Sequence, residues 1–450
     1  MSHTQACSAA HVESTPRPSA LALLPLLVYL ALFVGAGVYF QSQGTDFAFY
    51  QLSPVVAILP AIILALALSK QRLNDSIETL MKGIGDNNII AMCLIYLLAG
   101  AFAAVAKATG GVDATVALGL ALIPATLLLP GLFLISAFIA TAMGTSMGTI
   151  AAVAPVALGI ASQTGIDPAL MAGVVLSGAI FGDNLSIISD TTIAATRTQG
   201  AEMKDKFREN IYVAGPAAIV ALLLFTLAGS GQAEIAPQSI ELTKVAPYLT
   251  ILILAVMGLN VFLVLSLGIL LAGVTGMISA MGDAQTSYGI MTFGQDIYEG
   301  FTNMQEIFLL SMLVGGLAAL MTAQGGLSWL TQKITGWLGQ RRSAASAQLG
   351  MGALVAATNT CVANNTVSII VAGPVAKDLA DSNGVTPRRS AATLDIFACI
   401  VQGLIPYGAQ ALLLASTFAL SPLTVVAHGW YCMILAAIAI GTILWRSKRD

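Results

Sequence analysis

Gly100-Ala-Phe-Ala-Ala-Val-Ala-Lys-Ala-Thr-Gly-Gly111 and Gly315-Gly-Leu-Ala-Ala-Leu-Met-Thr-Ala-Gln-Gly-Gly326 agree at six of twelve positions. A second pair follows in the same order. Pro155-Val-Ala-Leu-Gly-Ile-Ala-Ser-Gln-Thr-Gly-Ile-Asp-Pro168 and Pro374-Val-Ala-Lys-Asp-Leu-Ala-Asp-Ser-Asn-Gly-Val-Thr-Pro387 agree at six of fourteen. The offset from Gly100 to Gly315 and that from Pro155 to Pro374 differ by no more than one small indel. An Ala- and Gly-rich chain produces chance matches, but not two in the same order at nearly the same offset. The chain therefore reads as two repeats, over 20–230 and 231–450, preceded by a polar, disordered tail at 1–19.

Composition names the solvent. Of 450 residues, 57% are hydrophobic and 9% are charged, with a mean hydropathy of +0.86. Average soluble domains carry about 25% charged residues, so 19 basic and 22 acidic side chains cannot cover a soluble surface of this size. A net charge of −3 gives no footprint for nucleic acid. The five cysteines lack CxxC spacing and the three histidines form no metal set. The first apolar run lacks a small-residue cleavage site and reads as a retained membrane helix.

Fourteen apolar segments can be drawn, about seven per half, among them 117–139 and 169–188. Several are short or interrupted by Gly and Pro, as re-entrant or broken helices are. Lys and Arg sort into alternate loops. Those at 70–82, 197–208, 324–346 and 377–389, and the C-terminus, are basic, whereas 41–53, 162–168, 281–305 and 416–423 contain neither residue. The positive-inside rule then puts both termini in the cytoplasm. Equivalent loops of the two halves fall on opposite faces, as an odd segment number demands. The expected fold is an all-α polytopic membrane protein of two inverted-topology repeats with broken or re-entrant helices at the midplane, an arrangement typical of secondary transporters.

Candidate site residues lie where small polar residues interrupt apolar runs. Residues 141–149 contain Thr145, Ser146 and Thr149; the equivalent 358–366 contain Asn359, Asn364, Asn365 and Thr366. Gly with Ser, Thr or Asn lets a helix unwind, freeing carbonyls and adding side-chain oxygens for Na+ or a substrate. The stretch Gly182-Asp-Asn-Leu-Ser-Ile-Ile-Ser-Asp-Thr-Thr192 adds Asp183, Asn184, Ser186 and Asp190; the seven-residue spacing of Asp183 and Asp190 puts both on one face of a helix. Asp395 is a lone acid in an apolar run, and a carboxylate there costs about 2.5–3.5 kcal/mol on insertion scales. These three acids are the candidate proton/cation carboxylates. The second-half equivalent of the Asp183 region holds Gln402 and Gln410 but no acid.

The stretch 182–192 resembles the Gly-Asp-Lys-x-Ser-Pro-x-Ser-Asp-Thr-Thr element of NhaC-type Na+/H+ antiporters. Gly144-Thr-Ser-Met-Gly-Thr149 is similar to that family's upstream Gly-Thr-Ser-x-Gly-Thr. Asn184 stands in place of its Lys and Ile187 in place of its Pro. The family belongs to the ion transporter superfamily, and Ala363-Asn-Asn-Thr366 resembles the Ser-Asn-Thr elements of divalent anion:sodium symporters. The resemblance implies a multi-pass protein of a bacterial plasma membrane that exchanges Na+ for H+ without a cofactor. It implicates Thr145, Ser146, Asp183, Ser186, Asp190, Asn364, Asn365 and Thr366. Exchange or symport of a small organic acid or amino acid is the alternative, and a homodimer is open. With no Lys or Arg expected inside the segments, an anionic substrate would rely on helix N-termini and Na+. An enzyme is disfavoured: the sequence has no HExxH, no membrane His for a Ser/His/Asp set and no nucleotide loop.

Overall fold

The computed structural model describes residues 17–45, 51–122, 124–187, 189–229, 241–257, 259–282, 288–338 and 343–446. Most of the expected tail, and the boundary at 230/231, lie outside the described residues. The first half contains α1 (Leu24–Ser42), α2 (Pro54–Ala57), α3 (Leu59–Leu68), α4 (Leu73–Ile84), α5 (Asn87–Ala108), α6 (Gly111–Leu122), α7 (Leu128–Met143), α8 (Ser146–Thr164), α9 (Pro168–Leu185), α10 (Asp190–Gln199) and α11 (Met203–Gly229). The second contains α12 (Leu242–Val256), α13 (Val261–Gly282), α14 (Ile290–Asn303), α15 (Gln305–Ala323), α16 (Gly326–Leu338), α17 (Ala344–Val362), α18 (Asn365–Ser382), α19 (Pro387–Leu404), α20 (Ala409–Phe418), α21 (Pro422–Ala427) and α22 (Trp430–Arg446). Among the described residues, eight stretches of helix are long and apolar enough to cross a membrane. The chain is an all-α, multi-pass membrane protein.

The outer surface fits that medium. Along α11, Ile219, Leu223 and Leu227 are exposed at four-residue spacing, and along α13 Leu270, Val274 and Ile278 repeat the pattern. Such stripes suit a lipid surface.

The two aligned sequence pairs become matching structures. Gly110 and Gly325, both at positive φ, turn α5 into α6 and α15 into α16. Gly165 and Gly384, again at positive φ, follow α8 and α18, and Pro168 and Pro387 open the next helices. Pro at the first helical position gives up an N–H that would be unpaired there in any case. From Pro168 and Pro387 onward the bounds keep one constant offset: α9 coincides with α19, and α10 with α20.

Packing is reciprocal as well. Helix α4 lies on α15, and its counterpart α14 lies on α5, counterpart of α15; α10 packs on α18 as α20 packs on α8. At the contacts the backbones touch. A Cβ on Gly100 would stand on the carbonyl of Gly300, and one on Gly83 would strike Ala319 and the Gly315 carbonyl.

The structure corrects three expectations. The expected loops 70–82 and 281–305 contain helices α4 and α14, whose apolar residues recur at helical spacing (Leu73, Ile77, Leu80, Ile84; Ile290, Phe293, Ile297, Phe301). The expected segment 117–139 is divided by the turn between α6 and α7. Helix α11 starts at Met203, so Lys206, expected in a cytoplasmic loop, is inside the bundle with no exposed surface.

Candidate functional site

Two hairpin tips face each other. Helix α7 ends at Gly144 in the left-handed region (φ 70°), and Thr145 caps α8 by accepting the Gly148 N–H. Helix α17 ends at Ala363, left-handed at φ 52°, and Asn364 caps α18 by accepting the Val367 N–H. Glycine takes this conformation freely, whereas for an L-residue it costs about 1–2 kcal/mol. Ala363 is held there by its surroundings, including a contact from Gln402 Nε2 to its carbonyl at 3.5 Å.

A cavity of about 130 Å³ lies between the tips, against the first turns of α5, α10 and α20. Thr145, Ser146, Asp183, Asp190, Asn364, Asn365 and Thr366, all anticipated from sequence, line it together with Gln410, Thr191 and Asn88. It has room for several waters, or for an ion with part of its hydration. Asp183 is 4% exposed, whereas Asp190 is exposed.

A directional chain of hydrogen bonds crosses the cavity wall. Gln402 Nε2 donates to Gln410 Oε1 at 2.7 Å, Gln410 Nε2 to Ser146 Oγ at 3.1 Å, and Ser146 Oγ to Asp183 Oδ2 at 2.8 Å. The Ser146 N–H, at the start of α8, donates to the same carboxylate oxygen at 3.4 Å. Two amides from the second half thus end on an acid of the first. The charge is stabilised by a hydroxyl and a helix N-terminus, groups that suit an anion. Ser146, Thr366 and the carboxylate offer the hard oxygens Na+ prefers.

Asp183 and Asp190 do not share a helix face, contrary to what their spacing predicts. Helix α9 ends at Leu185, Ser186 is its C-cap, and Asp190 starts a separate helix, α10. The two acids share the cavity because the chain breaks between them.

Five anticipated residues lie outside the cavity. Thr149 Oγ1 donates back to the Thr145 carbonyl within α8, and Ser186 Oγ donates to the Thr141 carbonyl, tying the break to α7. Asn359 Nδ2 donates to the Ala398 carbonyl. Asn184 Nδ2 donates to the Tyr431 hydroxyl. Asp395, on α19, forms a fully buried ion pair with Lys206, Oδ2 to Nζ at 2.8 Å.

Lys206 is the main residue that sequence reasoning missed. Its Nζ also donates to the Asn184 carbonyl at 3.0 Å and to Thr192 Oγ1 at 2.7 Å, and Asn210 Nδ2 donates to both the Asn184 carbonyl and Asp395 Oδ2. The missed signal was modest: Lys206 and Asn210 are four apart, at helical spacing, ahead of the apolar run of α11. The expectation that no Lys or Arg lies inside the segments is therefore corrected.

Paired broken helices, facing capped tips and an acid buried beside them, all inside a lipid-exposed bundle, define a secondary transporter. The chain belongs to the Na+/H+ antiporter family, whose model matches residues 18–230 and again 229–445. It is thus an antiporter and not an enzyme. It is similar to the Na(+)/H(+) antiporter NhaC of Alkalihalophilus pseudofirmus, 28% identical over 72% of this chain and 75% of that protein. It is also similar to the malate-2H(+)/Na(+)-lactate antiporter of Bacillus subtilis, 24% identical over 95% of this chain and 96% of the relative. The arginine/ornithine antiporter ArcD of Halobacterium salinarum is 23% identical over 81% and 80% of the two chains.

Proposed function

We propose that this chain exchanges Na+ for H+ by alternating access, through the cavity between the hairpin tips, in the inner membrane of a bacterium with both termini cytoplasmic. The observation that carries this reading is the placement of Asp183, buried and bonded to Ser146, in a cavity whose other lining residues, apart from exposed Asp190, are neutral polar or apolar. Na+ binds there against the Asp183 carboxylate, with Ser146, Thr366 and tip carbonyls as further oxygens. When Na+ leaves, a proton takes its place, so one site carries the two ions in turn and never together. Asp190, exposed at the rim, draws cations to the cavity. The two halves act as inverted repeats that rock about this site, and a homodimer provides a fixed frame for the motion.

The test is Na+-driven proton movement in reconstituted vesicles, followed with a pH-sensitive dye. Asp183→Asn is expected to reduce exchange to the level of protein-free vesicles, while the protein still elutes as a folded species. Undiminished exchange by Asp183→Asn would refute the assignment.

A second reading is the exchange of a small organic acid or amino acid. It is favoured by two helix N-termini, those of α8 and α18, meeting at a cavity with room for a small carboxylate. Malate/lactate and arginine/ornithine relatives agree with it. Labelled uptake of carboxylates and amino acids into the same vesicles separates the two readings.

A further inference from the structure

The break between α9 and α10 contains a second polar centre that the cavity does not reach. Three oxygens converge on one point: the Asn184 carbonyl, at the end of α9 where helix carbonyls lose their partners; Thr192 Oγ1, in the first turn of α10; and Asp395 Oδ2, on α19 of the other half. They lie 3.0, 2.7 and 2.8 Å from Lys206 Nζ, so all three ammonium hydrogens are used. Thr192 sends its own hydrogen to the Ser186 carbonyl and keeps a lone pair for the lysine. A carboxylate, a freed carbonyl and a hydroxyl form a donor set for a monovalent cation.

Further oxygens remain unused around this point. Asp395 Oδ1, Asn184 Oδ1 and Asn210 Oδ1 are all buried and lack a hydrogen-bond partner. The centre is also one-sided. The second half repeats the broken helix, with α19 and α20 at one constant offset from α9 and α10. At that same offset, Lys206 corresponds to Val425 and Asp395 to Leu176, both buried and apolar. In the second half a break with the same bounds therefore forms without an ion pair.

We infer that the Asn184–Thr192–Asp395 cup is a second monovalent-cation site, kept filled by the Lys206 ammonium as a tethered cation, and that this fixes the number of Na+ ions per transport cycle at one. The inference rests on the reading that Na+ is the transported cation at Asp183. A chain that lost the lysine but kept Asp395 would take a free cation into the cup, held by the same oxygens.

The test counts ions instead of measuring activity. Equilibrium binding of radioactive Na+ to the purified full chain in detergent, at one neutral pH, should give one Na+ per chain for the wild type. Lys206→Met should give two, and the double variant Lys206→Met/Asp395→Asn should return to one. Lys206→Arg keeps the tethered charge and should remain at one. If Lys206→Met does not yield folded protein, Lys206→Gln replaces it, retaining a donor for the carbonyl. One Na+ bound by a folded neutral variant overturns the inference, and so do two Na+ bound by the wild type with Lys206 in place. Asp183→Asn in the same assay tests the cavity reading separately. Loss of the wild-type ion supports that reading and its retention refutes it, whichever way the lysine variants fall.

Discussion

The break in α9–α10 and the break in α19–α20 have equivalent bounds, Leu185 matching Leu404 and Asp190 matching Ala409, yet they carry different chemistry. The first holds Asp183 and, at Asn184, receives Lys206. The second holds Gln402 at the position of Asp183, Gly403 at that of Asn184, and apolar Val425 at that of Lys206. One break is ionic and the other amide-lined. Equivalent bounds with unequal charge show that a break of this length forms in the second half without an ion pair. The buried charges, Asp183 and the Lys206–Asp395 pair, gather around the first break. The two breaks still communicate, because the Gln402–Gln410 pair of the second donates through Ser146 to the carboxylate of the first.

The comparison can be broken by making the two breaks alike. Asp395→Leu alone leaves Lys206 buried without its counter-charge, and removing one partner of a buried pair costs about 3–5 kcal/mol. Lys206→Val/Asp395→Leu replaces the ion pair by the apolar residues found at the equivalent positions and is expected to recover most of that loss. Unfolding midpoints in detergent micelles measure both, and a double variant as unstable as the single one would mean that the first break depends on its ions. A smaller effect tests the symmetry of packing. Gly83→Leu and Gly300→Leu each force a side chain against a facing backbone, and overpacking of this kind costs about 1–3 kcal/mol. The two losses should agree, because the contacts are counterparts; a clear inequality would mean that the helix pairs are not equivalent. The smallest effect lies at the hairpin tips. Gly144→Ala should cost about 1–2 kcal/mol in the same unfolding measurement, since it puts a Cβ on a left-handed residue. Ala363→Gly relieves that same conformation but adds unfolded-chain freedom, so its change should stay within about 1 kcal/mol.

Much of the site was legible because interruptions in apolar sequence are conspicuous. Thr145, Ser146, Asn364, Asn365 and Thr366 stand out as polar residues in Gly- and Ala-rich runs, and Asp183 is an acid with no base beside it in sequence. What escaped was whatever depends on a distant partner. Asp395 was visible as a lone acid, but Lys206 belongs to the other half of the chain and stands within a basic stretch, so loop charge masked it. Gln402 and Gln410 were visible only as the absence of an acid, and their bonds toward Ser146 required the halves to be docked. The amphipathic α4 and α14 were hidden by their polar faces, although four apolar residues in each recur at helical spacing. The break after Leu185 escaped because residues 169–188 read as one apolar run.

Each half lends a helix to the other: α4 seals the face of α15, and α14 seals that of α5. Neither half could keep its own small-residue groove dry if the chain were divided between them, for the glycine faces at Gly100 and Gly315 would lose the backbones that cover them. Expressed as two polypeptides, the halves would form an obligate heterodimer joined like clasped arms, whose folding depends on meeting in the bilayer. In the single chain, covalent linkage removes that dependence on concentration.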